Sequence, residues 1–200
     1  MGDLRPEGVR RLATHLQRLP GVGRRTAAAL VEHLLTVDPE EVVGFAGALA
    51  SLRDTVRHCS ECFLLTEDDP CPVCADPRRD RSVLLVVEDP TTAWVVEDTG
   101  EYHGLYHALL GHLSPLHGVG PDELTIDSLE RRVRQHGIRE VILGTNPTVE
   151  GETTALYIAR RLQDVDIEIS RPASGIPVGG ELAAVDRLTL SQALELRRKI

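Results

Sequence analysis

Arg81-Ser-Val-Leu-Leu-Val-Val-Glu88-Asp89-Pro90 holds an unbroken aliphatic run between a polar entry and an acidic exit closed by proline. Over Ser82–Glu88 it reads as a buried strand, because a short apolar run bounded by turn signals fits a covered strand. The run is far too short to span a bilayer. Toward the C-terminus the texture alternates. Thr91–Glu97 reads as a short helix, Tyr106–Gly111 as a strand, and Ile126–His136 as a helix. Strand Glu140–Gly144, helix Gly151–Gln163 and strand Asp166–Arg171 follow. That succession predicts a parallel sheet covered by helices. Beyond it lie Gly175-Ile-Pro-Val-Gly-Gly180 and a final helix near Leu190–Arg198.

Immediately upstream of the strand, residues 58–79 contain all four cysteines and little regular pattern. Cys59-Ser-Glu-Cys62 and Cys71-Pro-Val-Cys74 form C-x2-C-x8-C-x2-C. A two-residue spacer lets both thiolates of a pair face one ion, and two such knuckles close a tetrahedral zinc site. No cysteine lies outside the cluster, so the expected cofactor is one structural Zn2+ per chain. In so polar a segment the metal is expected to supply the folding energy. A redox dithiol is the rival, but redox C-x-x-C motifs occur singly at a helix start, and here there are two in tandem.

The N-terminal stretch, Pro6 to about Val56, reads as helical. Val9, Leu12, Leu16 and Leu19 keep helix spacing, as do Ala27, Leu30, Val31, Leu34 and Leu35. Asp38-Pro39-Glu40-Glu41 announces a third helix, running to about Arg57, with an N-cap carboxylate and proline at the first helical position. Between the first two helices sits Leu19-Pro20-Gly21-Val22-Gly23. Gly21 and Gly23 permit a tight reversal, and the next helix starts at about Arg24 with its free amides outward. Arg24 and Arg25 at that tip, with Arg18 nearby, make a phosphate seat; the plain alternative is an ordinary helical hairpin.

The charge distribution favours the phosphate seat. Net charge is -9, yet residues 1–31 carry Arg5, Arg10, Arg11, Arg18, Arg24 and Arg25 against only Asp3 and Glu7. That end is cationic and the remainder strongly anionic, so one end approaches DNA while the rest repels it. Of 22 basic residues only Lys199 is lysine. A P-loop is excluded, since no G-x-x-x-x-G-K-[ST] occurs, and so is nucleotide binding by that route. The N-terminus has no apolar stretch of signal-peptide type, and the expected location is the cytoplasm, away from membranes.

Two acidic clusters close strands: Glu88-Asp89-Pro90, and Asn146-Pro-Thr148-Val-Glu150-Gly-Glu152. Open parallel sheets place ligands, magnesium included, at such ends. Glu88, Glu150 and Glu152 are therefore candidates for an ion site or for a solvated acidic face. His112-Leu-Ser114-Pro-Leu-His117 lacks a partnered carboxylate for a nucleophilic serine and reads as a loop.

Taken in order, LPGVG, the cysteine pattern, VVEDP, GHLSPLHGVGPDEL, TNPTVEGE and GIPVGGEL resemble the RecR family of recombination mediators over nearly the whole chain. The resemblance implies a multi-domain α+β protein. Its parts would be a helix-hairpin-helix DNA-binding domain (1–57), a four-cysteine zinc finger (58–79), an α/β Toprim domain with a parallel sheet (80–174) and a C-terminal oligomerisation segment (175–200). It also implies a homodimer or ring-shaped homotetramer around DNA, with RecO and RecF as partners helping RecA load on gapped DNA coated by single-strand-binding protein. Arg25 matches a DNA-contacting position, and a second, four residues later, is Ala29 here. Glu88 matches the first Toprim carboxylate, whereas the D-x-D positions are the neutral Asn146 and Thr148. The implied protein is non-catalytic, with Glu88, Glu150 and Glu152 as a face for RecO. A magnesium-dependent Toprim nuclease or primase, and a zinc module touching only protein, are the competing readings.

Overall fold

The computed structural model describes residues 4–173, 175–176 and 179–197. Asp3, Pro177, Val178 and Arg198, which entered the charge balance, the glycine-rich tail and the last expected helix, lie outside the described residues. The chain forms two compact units that divide after Thr55.

The first unit is three helices, α1 (Glu7–Leu16), α2 (Arg24–Thr36) and α3 (Pro39–Thr55). Its core is small: Ala13, Ala27 and Val31 are buried, with Val9, Leu16 and Val22 packed on them. The apolar stripe in the sequence continues to Leu19, but α1 ends at Leu16. Leu19 precedes Pro20, which disfavours helical backbone, and its carbonyl accepts the Val22 N–H in the turn (3.1 Å). Asp38 opens α3 by accepting the Glu40 N–H (2.9 Å). None of the residues of α3 is buried. It stops at Thr55 rather than Arg57, because the chain is already extended at Arg57–His58.

The second unit opens with a small antiparallel pair, β1 (Arg57–His58) and β2 (Leu65–Thr66), and a single turn, α4 (Pro72–Ala75). Then come β3 (Asp80–Val87), α5 (Pro90–Glu97), β4 (Gly104–Ala108), α6 (Ile126–Gln135), β5 (Glu140–Gly144), α7 (Val149–Arg161), β6 (Glu168–Ser170) and α8 (Arg187–Glu195). The sheet order is β4-β3-β5-β6, with every pair parallel. Side chains alternate across β3, so its apolar run serves two cores. Leu84 and Val86 face Leu129, Val133, Ile158 and Leu162 of the α6–α7 layer. Leu85 and Val87 face the opposite way, into a core shared with Tyr106, Ala108, Ala93 and all four cysteines. The cysteine segment is thus a covering layer of the sheet. Leu64 is buried in it and Phe63 and Val73 pack against it, so apolar contacts help hold it in place, contrary to its polar composition.

The position of β4 also differs from expectation. The strand read at Tyr106–Gly111 lies earlier, at Gly104–Ala108. Leu109 still donates its N–H to the Val87 carbonyl (2.8 Å), but the ladder pairs end at Ala108 and the chain turns away at Leu110 (φ 64°) and Gly111 (φ 148°). Leu109 is nonetheless buried in the α6–α7 core, which is why the pattern misleads. At the other end only glycine fits at 104, because a Cβ would lie 2.8 Å from the Val83 carbonyl. Helix α7 starts at Val149, two residues before the expected Gly151, because Thr148 caps it.

Candidate metal centre and nucleic-acid interface

Backbone turns aim the four thiols at one point. Cys59 N–H donates to the Leu64 carbonyl (2.8 Å) and Cys59 C=O accepts from Phe63 N–H (3.0 Å), with Phe63 held at φ 62°. This closes the first knuckle. Cys71 caps α4, its sulfur accepting the Cys74 N–H (3.4 Å), while Cys71 N–H donates to the Cys59 sulfur (3.3 Å). The four sulfurs lie within 4.8 Å of one another. All four residues are buried, at 0 to 3% exposure, and none is in a disulfide. The Cys62–Cys71 sulfur contact (3.5 Å), with help from Cys74, pulls the Cys71 thiol down to about 2. The same contacts push the Cys62 thiol far up. Four buried thiols in two knuckles suit a closed tetrahedral Zn2+ site.

Two arginines absent from the sequence reading grip this centre. Arg132, on α6 and 7% exposed, donates to the Tyr106 carbonyl (2.6 Å) and to the Cys74 sulfur (3.6 Å). Arg81, on β3, donates to the Cys74 carbonyl (2.8 Å). The available signal was position: Arg132 falls three residues after Leu129 on the buried stripe of α6, where an apolar residue is the default. His107 was also missed. It is fully buried on β4, with its ring 5.4 Å from that of Phe63. Thr125 Oγ1 donates to the Ala108 carbonyl (2.7 Å), so His107 Nε2–H is the donor in its 2.9 Å contact with that oxygen. Nδ1 then carries no proton and has no partner. Burial first, then the charge of Arg132, lowers the His107 pKa to about 3.

The carboxylates at the strand ends are arranged differently. Glu88 is only 7% exposed. It accepts from Asn146 N–H (2.8 Å) and Asn146 Nδ2 (2.7 Å), and His112 Nδ1 lies 3.3 Å away. Glu88 is therefore turned inward. Thr148 Oγ1 accepts the Gly151 N–H (3.0 Å) as the cap of α7. Gly151 passes so close that a Cβ would lie 2.1 Å from the Asn146 carbonyl and 2.7 Å from Glu88 Oε1. Glu150 is half-buried and Glu152 is exposed and ion-paired with Arg171. Among the described residues, the four cysteines are the one group of three or more His, Cys, Asp or Glu side chains whose donors converge. Asn146 and Thr148 use the two positions where aspartates would face a cation to donate to Glu88 and to start a helix.

At the N-terminal unit, Gly21 takes φ 77° and turns the chain, whereas Gly23 is extended and caps α2. Of the two glycines only Gly21 needs the left-handed region. The first amides of a helix have no intrahelical acceptor, and no side chain caps them here. The first turn of α2 contains no acid. Arg18, Arg24 and Arg25 are exposed, as is Ala29, and none of these arginines forms an ion pair among the described residues.

Comparison with known proteins adds a lineage to this geometry. Residues 9–53 match the family profile of the RecR helix-hairpin-helix, and 56–76 match that of the RecR four-cysteine zinc finger domain. Residues 82–173 match the Toprim domain and 175–198 the RecR C-terminal region. The recombination protein RecR of Rubrobacter xylanophilus is 47% identical over 192 residues, covering 96% of each chain. This chain belongs to the RecR family. The RecR of Heliobacterium modesticaldum is also 47% identical, over 194 residues, 97% of this chain and 98% of its own. Within RecR terms, the cysteine cluster is the zinc-finger domain and the parallel sheet is the Toprim domain. No helix among the described residues is long and apolar enough to cross a membrane.

Proposed function

We propose that this RecR-family chain is a cytoplasmic DNA-binding recombination mediator that performs no chemistry of its own. In this reading it acts with RecO and RecF to help RecA load on gapped DNA coated by single-strand-binding protein. Cys59, Cys62, Cys71 and Cys74 hold one Zn2+ per chain, which fixes the zinc finger on the Toprim sheet. DNA is held through phosphate by Arg18, Arg24, Arg25 and the amides of the Gly21–Gly23 turn. The domains divide at 1–57, 58–79, 80–174 and 175–200. The RecO face is carried by Glu150 and Glu152, with Glu88 supporting it from behind.

The observation that carries the non-catalytic reading is the Asn146–Glu88 pair. A Toprim carboxylate that accepts two hydrogen bonds from a neutral neighbour has lost the second anion that would hold magnesium beside it. A homodimer or ring-shaped homotetramer is supported by α3, where Phe45, Leu49 and Leu52 share one helix face and all are exposed. A second copy covering that face buries it and sets several hairpins around one DNA, multiplying weak phosphate contacts.

The test is salt-dependent DNA binding. Arg25→Ala should weaken binding equally on all sequences and lower the salt slope by about one. Zinc content and oligomer size should stay the same. Binding unaffected by Arg24→Ala/Arg25→Ala would move the DNA site elsewhere, and magnesium-dependent nicking or priming abolished by Glu88→Ala would replace the scaffold reading by an enzymatic one.

A further inference from the structure

Four thiolates around Zn2+ leave a formal net charge of two minus, and here that charge is buried under a sheet. A buried ionic centre must be balanced by donors or counter-charge in its surroundings. Two of the donors to sulfur come from the knuckles themselves, the Cys71 and Cys74 amides. Among the described residues the one charged donor to sulfur comes from elsewhere, the guanidinium of Arg132 on Cys74. Arg132 is itself buried and forms no ion pair with a carboxylate among the described residues. Its second partner, the Tyr106 carbonyl, is neutral. With zinc bound, the Cys74 thiolate is thus the one anionic group that Arg132 contacts directly among the described residues.

The connections around this pair run through the whole unit. The Cys62 carbonyl accepts from the Ala108 amide of β4 (2.8 Å), and the Cys74 carbonyl from Arg81 of β3 (2.8 Å). Tyr106, whose carbonyl holds Arg132, donates its hydroxyl to Glu97 (2.6 Å), and Glu97 is paired with Arg79, just downstream of the second knuckle. These links tie the thiol segment to β3, β4 and α6.

We propose that Arg132 is a positioning residue for the metal centre: its buried guanidinium offsets the charge of the zinc thiolates and makes metal occupancy and the order of β4 and α6 one coupled equilibrium. This rests on the reading that the four thiols hold Zn2+. With metal bound, cation and anion neutralise each other inside the unit. With metal removed, Arg132 keeps the Tyr106 carbonyl but loses the charge that its guanidinium offsets, and the tie from α6 to the Cys74 sulfur is weakened. An ordinary structural arginine would not couple in this way, because its partner charge would not depend on an ion.

The experiment uses the full chain. Zinc affinity is measured by competition with a chromogenic chelator in wild type, Arg132→Met, Arg132→Lys and Arg134→Gln, the last on the solvent side of the same helix. Arg132→Met should bind zinc about 10- to 100-fold more weakly, the usual effect of losing a partner behind a metal ligand. Arg132→Lys should recover part of the loss and Arg134→Gln should show none. In cobalt-substituted protein, Arg132→Met should also move the thiolate charge-transfer band to lower energy, because the Cys74 sulfur loses its donor; a purely structural role would leave the band in place. Affinity within about twofold of wild type with an unmoved band overturns the proposal, since a lost metal-ligand partner costs more than that. Should Arg132→Met fail to fold, hydrogen exchange of wild type before and after chelation decides: β4 and α6 should lose protection while β5 and α7 keep most of theirs, and unchanged protection in β4 and α6 overturns the coupling. Wild type that binds no zinc would instead sink the metal reading itself.

Discussion

The cysteines at 59–74 and the carboxylates at the ends of β3 and β5 are both clusters of potential ligands on the same sheet, yet among the described residues only the first brings its donors together. The four sulfurs converge and are buried. The carboxylates are already matched by the chain: Glu88 by Asn146 and His112, Glu152 by Arg171, and Asp89 by the amide and hydroxyl of Thr91. A cluster of acidic letters becomes an ion site only when its donors meet and nothing internal answers them. In this molecule the Toprim fold keeps its first carboxylate and uses it as an internal strut.

Removing one thiol should produce the largest effect. Cys71→Ser is expected to abolish stoichiometric zinc by elemental analysis and to destabilise the second unit by more than about 3 kcal/mol, since structural zinc carries roughly 10–16 kcal/mol of apparent binding free energy. Stable protein without metal would erase the contrast between the clusters. Asn146→Asp attacks it from the other side by placing a second carboxylate against Glu88. The expected cost is about 1–3 kcal/mol in urea unfolding without divalent ions, because the buried Glu88 loses its side-chain amide donor and gains like-charge repulsion. Magnesium should return part of it in the variant and do nothing for wild type.

How much of this was legible in the sequence follows the range of the interactions. The two knuckles, the Asp38 cap and the start of α2 at Arg24 are written in neighbouring residues and appear where the letters put them, while the strand read at 82–88 appears slightly earlier, at Asp80–Val87. The end of β4 was misread because Leu109 is apolar for the sake of a distant core, not of the ladder. The inward turn of Glu88, the Arg132–Cys74 contact and the burial of His107 depend on pairs separated by 58, 58 and 18 residues. No local pattern records them, although an arginine on the apolar stripe of α6 hints at one.

A smaller effect is expected from pH. His107 titrates near 3 when folded against its ordinary value of 6.5. Above about pH 6.5 it is neutral in both states and costs nothing. As pH falls from there toward about 3, the unfolded chain takes up a proton that the folded chain refuses, so stability is lost, with a slope of at most about 1.4 kcal/mol per pH unit. His107→Phe should flatten that slope. Because thiolates also protonate in acid, wild type and variant are to be compared at each pH in excess zinc; identical slopes would show that His107 does not carry this term. The smallest effect on the fold should come from Glu150→Lys. Half-exposed and outside the Glu88–Asn146 pair, it should change stability by less than about 0.5 kcal/mol. Pull-down with RecO should weaken while DNA binding by the isolated protein persists; unaltered RecO binding would remove the acidic face from the account.

The contrast between the two clusters is tested most directly by one metal balance on the purified, untagged protein: elemental analysis for zinc, followed by calorimetric titration with magnesium. The account predicts one zinc per chain and no measurable magnesium heat at the strand ends. Zinc-free protein with its cysteines in disulfides, or a submillimolar magnesium site that disappears in Glu88→Ala, would contradict it.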